Sequence, residues 1–249
     1  MSASVNGKAG ETRSVLRREY LLHTPDAFVR TPLPEIAKGV AVVHASPQLG
    51  ARFMQYTAEL EAEGTLAAID QQRFVWVLAG QVSIAINGEE WTLRPGSYAY
   101  LPELCDCQVK ATSAATLTVI EKPYEVLHDV VRPNAFVAHE DDVVAVPLGG
   151  DPQLLVKSLL PADVAFDFAV NTMTYAPGAA LAQVEVHVME HGLVMLEGAG
   201  TYRLGDNLHM VAAGDFIWMA PYCPQWFVAE GTVPAKYLIY KDWNRRPKL

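Results

Sequence analysis

Apolar and polar positions alternate with a period of two along most of the chain. Short runs rich in Val, Ile, Tyr, Phe and Trp are interrupted by Gly, Pro, Asn and Asp, and the 3.6-residue period of an amphipathic helix is nearly absent. One set of predicted strands covers residues 53–60, 74–78, 81–86, 90–93, 97–101 and 116–120. A second set covers residues 166–175, 184–188, 193–196, 200–204, 208–211, 215–219, 226–228 and 236–240. The pattern therefore predicts an all-β protein.

The two sets of strands repeat each other with a constant offset. The matched segments are Leu78-Ala-Gly80 with Leu196-Glu-Gly198, Arg94-Pro-Gly96 with Ala212-Ala-Gly214 and, after a slip of one residue, Leu101-Pro102 with Ala220-Pro221. Within the first set, Asn87-Gly88 is typical of a tight β-hairpin turn. A repeated module of antiparallel strands punctuated by glycine predicts two jelly-roll barrels in tandem.

Domain boundaries follow from the same pattern. Residues 1–34 are predicted to form an N-terminal arm that docks on a barrel or on a neighbouring subunit, and residues 35–122 to form the first barrel. Residues 123–150, which end in a stretch rich in Pro and Gly, are predicted to be a linker between domains. Residues 151–249 are predicted to form the second barrel.

Composition and charge narrow the range of functions. A formal net charge of −9 without a run of Lys or Arg excludes the clustered positive charge that nucleic-acid binding needs. No window approaches the roughly 18 apolar residues of a membrane span, and the first residues lack the apolar core of a signal peptide. Cys105, Cys107 and Cys223 are expected to be free thiols, as in a reducing compartment. We therefore expect a cytoplasmic protein that acts on a small molecule, without nucleic-acid or membrane partners.

The second repeat collects side chains that can bind a metal ion. Glu185 and His187 are two residues apart, so on a strand both point to one face, while the valines at 184, 186 and 188 point to the other. His191 keeps that register or begins the next strand, and Gln225 can add an amide oxygen from a later strand. Two imidazoles with carboxylate and amide oxygens suit a divalent first-row metal such as Mn(II), Fe(II), Co(II) or Ni(II).

The first repeat has none of these ligands. In the alignment Glu185 falls on Ala67, His187 on Ile69, His191 on Arg73, and Gln225 on Asp106 or Cys107. The same scaffold is thus predicted to close without the four residues, which favours a functional role for them in the second barrel.

The spacing of these residues resembles the two cupin motifs. The first cupin motif is Gly, five residues, His-x-His, three or four residues, Glu, six residues and Gly, and the second is Gly-Asp, Pro and a ligand His four residues after the Pro. The matching positions here are Gly178, Glu185, His187, His191 and Gly198 in the first motif, and Gly214, Asp215, Pro221 and Gln225 in the second. The frame agrees within one residue, but the identity of the ligands is permuted.

The permuted set of Glu, His, His and Gln resembles the (S)-ureidoglycine aminohydrolase family, which are manganese bicupins of purine catabolism with the site in the C-terminal barrel. The resemblance implies a bicupin of two double-stranded β-helix barrels, a Mn²⁺ cofactor, and release of ammonia from (S)-ureidoglycine to give (S)-ureidoglycolate in allantoin degradation. It also implies substrate contacts at Tyr202, Tyr237 and Lys241, and together with the arm it favours a homo-oligomer. Tyr237 and Lys241 share one face of a predicted strand by period two.

Two other functions remain open from the sequence. Other bicupins are metal-dependent dioxygenases, although their sites usually resemble the unpermuted pattern of three His and one Glu. A non-enzymatic barrel that binds a ligand is the third hypothesis. No helix-turn-helix pattern accompanies the barrels, which argues against a transcription regulator.

Overall fold

The computed structural model describes residues 11–247, and within them every regular element is a strand apart from two short 3₁₀ turns, Pro25–Ala27 and Glu140–Asp142. The first eleven strands are β1 Val15–Leu16, β2 Tyr20–His23, β3 Arg30–Thr31, β4 Ile36–Ala45, β5 Met54–Leu66, β6 Gln72–Ala79, β7 Val82–Ile86, β8 Glu89–Leu93, β9 Ser97–Leu101, β10 Val109–Ala111 and β11 Ala115–Lys122. The remaining strands are β12 Phe136–His139, β13 Val146–Leu148, β14 Asp151–Ser158, β15 Phe168–Tyr175, β16 His191–Glu197, β17 Ala199–Leu204, β18 Asn207–Ala212, β19 Phe216–Met219, β20 Gln225–Glu230 and β21 Ala235–Asp242. The predicted all-β class is confirmed, and no helix in the described part of the chain is long and apolar enough to cross a membrane.

The strands form two barrels. The first is a curled ten-stranded sheet with the order β12-β9-β6-β11-β5-β10-β7-β8, in which β4 also pairs with β5, and β3 with β4. The second combines an eight-stranded sheet, β1-β2-β19-β16-β21-β15-β14-β13, with a three-stranded sheet, β18-β17-β20. Asn87 and Gly88 both have positive φ and connect β7 to β8, as the hairpin prediction requires. The tandem barrel architecture is therefore confirmed.

Equivalent strands of the two barrels contribute side chains to one aromatic cluster between the barrels. All five residues of β9 are buried, because Ala99 and Leu101 face the core of the first barrel while Tyr98 and Tyr100 face the other barrel. In the second barrel β19 does the same, with Phe216 and Trp218 on the interface side. The aromatic layer between the barrels explains why these strands read as continuous apolar runs.

The glycines of the repeat occupy equivalent backbone positions. Gly80 and Gly198 both have positive φ, at 76° and 71°, and a Cβ at either would lie within 2.8 Å of the backbone of a following strand. Gly96 donates its N–H to the carbonyl of Val77 at 3.1 Å, and Gly214 donates to Met195 at 2.8 Å. Because close backbone approach and positive φ both demand glycine, the repeat visible in the sequence corresponds to a repeat in three dimensions.

The N-terminal arm docks on the second barrel of its own chain. Strand β2 extends the sheet at β19, and the Arg13 guanidinium donates to both carboxylate oxygens of the buried Asp215, at 2.7 and 2.8 Å. Residues 1–10 of the predicted arm and residues 248 and 249 of the second domain lie outside the described residues. The predicted linker contains two strands, since β12 joins the first barrel at β9 and β13 joins the second at β14. The boundaries 1–34, 35–122, 123–150 and 151–249 stay a prediction.

The expectation of three free thiols was wrong for two of them. Cys105 and Cys107 form a disulfide, and their Cα atoms are 5.2 Å apart, within the range that a disulfide can bridge. Cys223 is free and buried in the core of the second barrel. Spacing in the sequence does not reveal how a loop places two cysteines, so the pairing could not be read from it.

Two histidines, His23 on β2 of the arm and His44 on β4 of the first barrel, lie next to each other. The Nδ1 atoms of His23 and His44 are 3.1 Å apart, His44 Nε2 lies 2.9 Å from Thr57 Oγ1, and the His44 ring stacks on Phe216 with centroids 4.8 Å apart. Burial lowers the pKa of His44 to about 3, and the neighbouring His23 adds to this effect. The folded protein therefore holds His44 neutral.

Acid should destabilise the fold through His44. In the unfolded chain a histidine has a pKa of about 6.5, so between there and about 3 the unfolded state binds a proton that the folded state does not. The stability from neutral His44 is complete above about pH 6.5 and is lost as pH falls toward 3. Urea unfolding at pH 7.5 and pH 5 should show a smaller acid loss in His44→Phe, which keeps a ring at this position, than in the wild type. Equal losses in the two proteins would contradict this account.

Candidate metal centre

The segment that carries Glu185 and His187 is extended but is not a regular strand. The prediction of a regular strand at 184–188 is therefore wrong. Within this segment only Glu185 forms a β-bridge, which is isolated and antiparallel to Gln225, with N···O distances of 2.8 and 2.9 Å. The His187 carbonyl accepts from Tyr222 N at 2.6 Å. Within residues 11–247 no further strand covers the outer side of the segment, and the valines at 184, 186 and 188 are 41%, 57% and 38% exposed. The period of two survives, and Glu185 and His187 turn to the barrel interior.

His191 begins β16 and is buried, opposite Lys241 on β21. Its Nδ1 lies 3.3 Å from the carbonyl oxygen of Tyr240 and donates to it, which leaves the Nε2 lone pair free. Within the described residues Nε2 is buried and has no hydrogen-bond partner. Burial, followed by the nearby His187, lowers the pKa of His191 to about 3. The ring is therefore neutral, which is the form that binds metal.

Gln225 is held between two neighbours at the start of β20. Its backbone pairs with Glu185, and its Oε1 accepts a hydrogen bond from the Tyr202 hydroxyl at 3.2 Å. A carbonyl oxygen has two lone pairs, so one can accept from Tyr202 while the other faces the cavity. Tyr202 thus fixes the orientation of the amide.

All seven residues predicted for the site line one cavity of about 160 Å³ in the second barrel: Glu185, His187, His191, Gln225, Tyr202, Tyr237 and Lys241. The Tyr237 hydroxyl is 2.7 Å from that of Tyr175, and burial raises the pKa of both phenols, so both stay protonated. Lys241 Nζ lies 4.2 Å from the centroid of the Trp243 ring. Burial lowers the pKa of the Lys241 ammonium, and the charge of Glu185 opposes this shift. The cavity brings a cation and two fixed hydroxyls next to the candidate ligands.

The donor set suits a divalent ion in type and direction. Glu185 Oε2 and His187 Nε2 are 3.1 Å apart, close to the roughly 3.0 Å that separates two ligand atoms at right angles around an octahedral ion with bonds of about 2.1 Å. The rings of His187 and His191 are edge to face with centroids 5.3 Å apart. Across residues 11–247 no three His, Cys, Asp or Glu side chains are already gathered into a closed ligand cluster. The donors therefore converge on the cavity without being fully assembled, and the free Nε2 of His191 is the clearest sign that they fit a metal.

The first barrel shows what occupies the equivalent place when no metal ligands are present. Arg73 pairs with Leu101 as His191 pairs with Met219, so the two positions are equivalent by register. The Arg73 guanidinium is buried, donating from Nε to Glu121 at 2.7 Å and from Nη1 to the Ala67 carbonyl at 2.7 Å. A buried ion pair thus fills the first barrel at the position where the second has its cavity.

Arg52 of the first barrel contacts the residue next to a candidate ligand. The buried carboxylate of Glu190, next to His191 in the chain, accepts from the backbone N–H of Arg52 at 2.8 Å and from Trp218 Nε1 at 3.0 Å. Arg52 also donates to Asp242 at 2.8 Å. Sequence reasoning missed this anchor because the partners are far apart in the chain.

Two further residues of the site were also missed, and both lie on β15, which pairs with β21 along its whole length. Asn171 lines the cavity, and Tyr175 contacts the cavity residue Tyr237. The period of two along β15 was the available signal, since residues 171, 173 and 175 share a face.

Comparisons with known proteins identify the family of the chain. The sequence model of the cupin domain matches residues 171–240, which include the four candidate ligands and end before Lys241. The chain is 39% identical to the (S)-ureidoglycine aminohydrolase of Arabidopsis thaliana over 96% of this chain and 80% of that protein. It is 28% identical to the (S)-ureidoglycine aminohydrolase of Escherichia coli K12 over 91% of this chain and 89% of that one. The crystal structure of protein Ylba from E. coli superimposes with a TM-score of 0.85 at 25% identity, covering 96% of this chain and 97% of that one. The chain belongs to the (S)-ureidoglycine aminohydrolase family.

Proposed function

We propose that this protein is a metal-dependent hydrolase that releases ammonia from (S)-ureidoglycine and yields (S)-ureidoglycolate in the catabolism of purines through allantoin. In this reaction the bond between the α-carbon and the amine nitrogen breaks, and a bond from that carbon to a water oxygen forms. The observation that carries the proposal is the convergence of Glu185, His187, His191 and Gln225 on one cavity, around the free Nε2 of His191, in a chain of this family.

Glu185, His187, His191 and Gln225 would hold the metal ion, and Mn²⁺ is the proposed identity. When bound, a divalent ion supplies Lewis-acid chemistry and a template for the amino acid portion of the substrate. Four protein ligands leave coordination positions open for substrate, as catalysis requires. The hydrogen bond from His191 Nδ1 to the Tyr240 carbonyl fixes the ring so that Nε2 points into the cavity.

The other cavity residues bind and orient the substrate. Lys241 is the one cationic side chain among the described residues that line the cavity, so it pairs with the substrate carboxylate. Tyr237, held by Tyr175, and Tyr202, held by Gln225, present neutral hydroxyls that position the ureido group or a water molecule. The cavity of about 160 Å³ leaves little room for water beside an unstable substrate.

A coupled assay tests the function directly. Protein expressed in metal-replete medium is mixed with freshly generated ureidoglycine while ammonia release and oxygen consumption are followed, and its metal content is measured by elemental analysis. The proposal predicts ammonia release above the spontaneous rate with close to one manganese per chain. Oxygen consumption with an aromatic substrate and no ammonia release would contradict it in favour of a dioxygenase. Absence of both tightly held metal and turnover would favour a ligand-binding barrel.

We also infer that the protein is a cytoplasmic homo-oligomer. The family resemblance supports the homo-oligomer. The docking of β2 on β19 of the same chain accounts for the arm without a second subunit, so the arm no longer argues for oligomerisation.

A further inference from the structure

Asn171 is a polar residue of the cavity that the proposed chemistry does not yet use. It lies on β15 opposite Ile239, between the pairs that place Met173 beside Tyr237 and Ala169 beside Lys241. Its side chain lines the same cavity as the candidate ligands. Among the described residues its half-buried carboxamide has no hydrogen bond or ion pair, and its neighbours on the wall include Met173 and Ile239. Both the oxygen and the nitrogen of this amide are therefore available to a ligand in the cavity.

The first barrel shows where this position points. By register, Tyr56 opposes Val119 as Asn171 opposes Ile239, so the two residues are equivalent. The Tyr56 hydroxyl donates to Glu121 at 2.8 Å, and Glu121 also accepts from Arg73. These three side chains therefore meet at the centre of the first barrel.

The equivalent trio in the second barrel is Asn171, His191 and Lys241. Glu121 opposes Arg73 on the neighbouring strand just as Lys241 opposes His191. In the first barrel the long side chain of Tyr56 reaches Glu121. At the equivalent position the second barrel has Asn171, whose side chain is shorter. By register and lining, Asn171 therefore shares one cavity with His191 and Lys241.

We propose that Asn171 recognises the ureido group of the substrate by a pair of hydrogen bonds, an inference that rests on the proposed function. A carboxamide presents one acceptor oxygen and one donor nitrogen side by side, and a ureido group presents the complementary pair. The ureido oxygen accepts from Asn171 Nδ2, and a ureido N–H donates to Oδ1. The carboxylate is assigned to Lys241 by charge, so Asn171 sets specificity for the other end of the substrate.

The test uses two ligands that lack the leaving amine and are not hydrolysed. N-carbamoylglycine has both the carboxylate and the ureido group, whereas N-acetylglycine replaces the terminal ureido nitrogen with a methyl group. Calorimetry on metal-loaded wild type should give about tenfold tighter binding of N-carbamoylglycine, the effect of a buried hydrogen bond. In Asn171→Leu and Asn171→Ala the two ligands should bind with nearly equal dissociation constants. Met173→Leu, which changes the same wall without removing a hydrogen bond, should keep the wild-type ratio.

The ratio of the two dissociation constants decides the outcome. A wild-type ratio in either soluble Asn171 variant would overturn the assignment, as would equal weakening of both ligands, because that indicates general damage to the cavity. Ammonia release by the wild type is measured on the same preparation. Turnover together with an unchanged ratio sinks only the role of Asn171, whereas absent turnover sinks the proposed function.

Discussion

Replacing His187 with alanine should abolish ammonia release and remove most of the bound metal. The imidazole is one of four proposed ligands, and its Nε2 lies 3.1 Å from the Glu185 carboxylate, so the substitution also releases that carboxylate from its partner. Lewis-acid stabilisation is worth several kcal/mol, so the loss of kcat/KM should be on the order of a thousandfold or more. Stopped assays of ammonia and elemental analysis of the same sample measure both effects.

A matched control distinguishes the effect of losing a metal ligand from the effect of losing any histidine of the barrel. His209 lies in the same barrel but outside the cavity, where its ring contacts the Tyr20 hydroxyl at 3.0 Å. His209→Ala should keep its metal and turn over within a fewfold of the wild type. Full activity and full metal content in His187→Ala would remove the proposed ligand set.

Replacing Glu121 with leucine should strongly destabilise the fold. The carboxylate is buried and accepts from both Arg73 and Tyr56, so its removal leaves a buried guanidinium without its counter-charge. Breaking such a pair from one side costs about 3–5 kcal/mol. Urea unfolding monitored by circular dichroism should show this loss in the free energy of unfolding.

Two variants serve as controls for the buried pair. Adding Arg73→Leu to Glu121→Leu removes the orphaned charge and should recover much of the loss, since apolar replacements of buried pairs are often neutral. Glu59→Leu breaks the Arg30–Glu59 pair, whose side chains are 56% and 33% exposed, and should cost less than about 1 kcal/mol. A loss in Glu121→Leu no larger than in Glu59→Leu would contradict the role given to the buried pair.

The fold was predictable because its signals are local. Runs such as β9 and β19 have the composition of strands buried on both faces, and Gly80 and Gly198 mark the same turn in each barrel. The predicted ligands were recognisable for a related reason, since the period of two and the short spacing from Glu185 to His191 fix their common direction. Those features depend on residues near each other in the chain.

The other residues of the site are brought together by contacts between segments that are far apart in the sequence. Asn171 lines the cavity and Tyr175 contacts Tyr237 only because β15 pairs with β21, and Arg52 reaches Glu190 only because the barrels pack together. A lone Asn or Tyr on an amphipathic strand has the same local pattern whether it faces a core or a ligand. The predicted strand at 184–188 failed for the opposite reason, because its local composition is strand-like but no strand in the described part of the chain covers its outer edge.

The internal repeat allows equivalent positions of the two barrels to be compared. Sequence alignment placed Arg73 on His191, but only the structure shows that Arg73 donates to the Ala67 carbonyl, at the position aligned with Glu185. One barrel is thus closed by an ion pair and the other is left open. We propose that the open barrel is the metal site.

Anomalous diffraction from crystals grown with Mn²⁺ tests that claim most directly. Data collected on both sides of the manganese absorption edge should give one strong peak per chain, within about 2.5 Å of donor atoms from Glu185, His187, His191 and Gln225. The first barrel should show no peak near Arg73. A manganese peak elsewhere in the chain, or none at a concentration that supports turnover, would contradict the account.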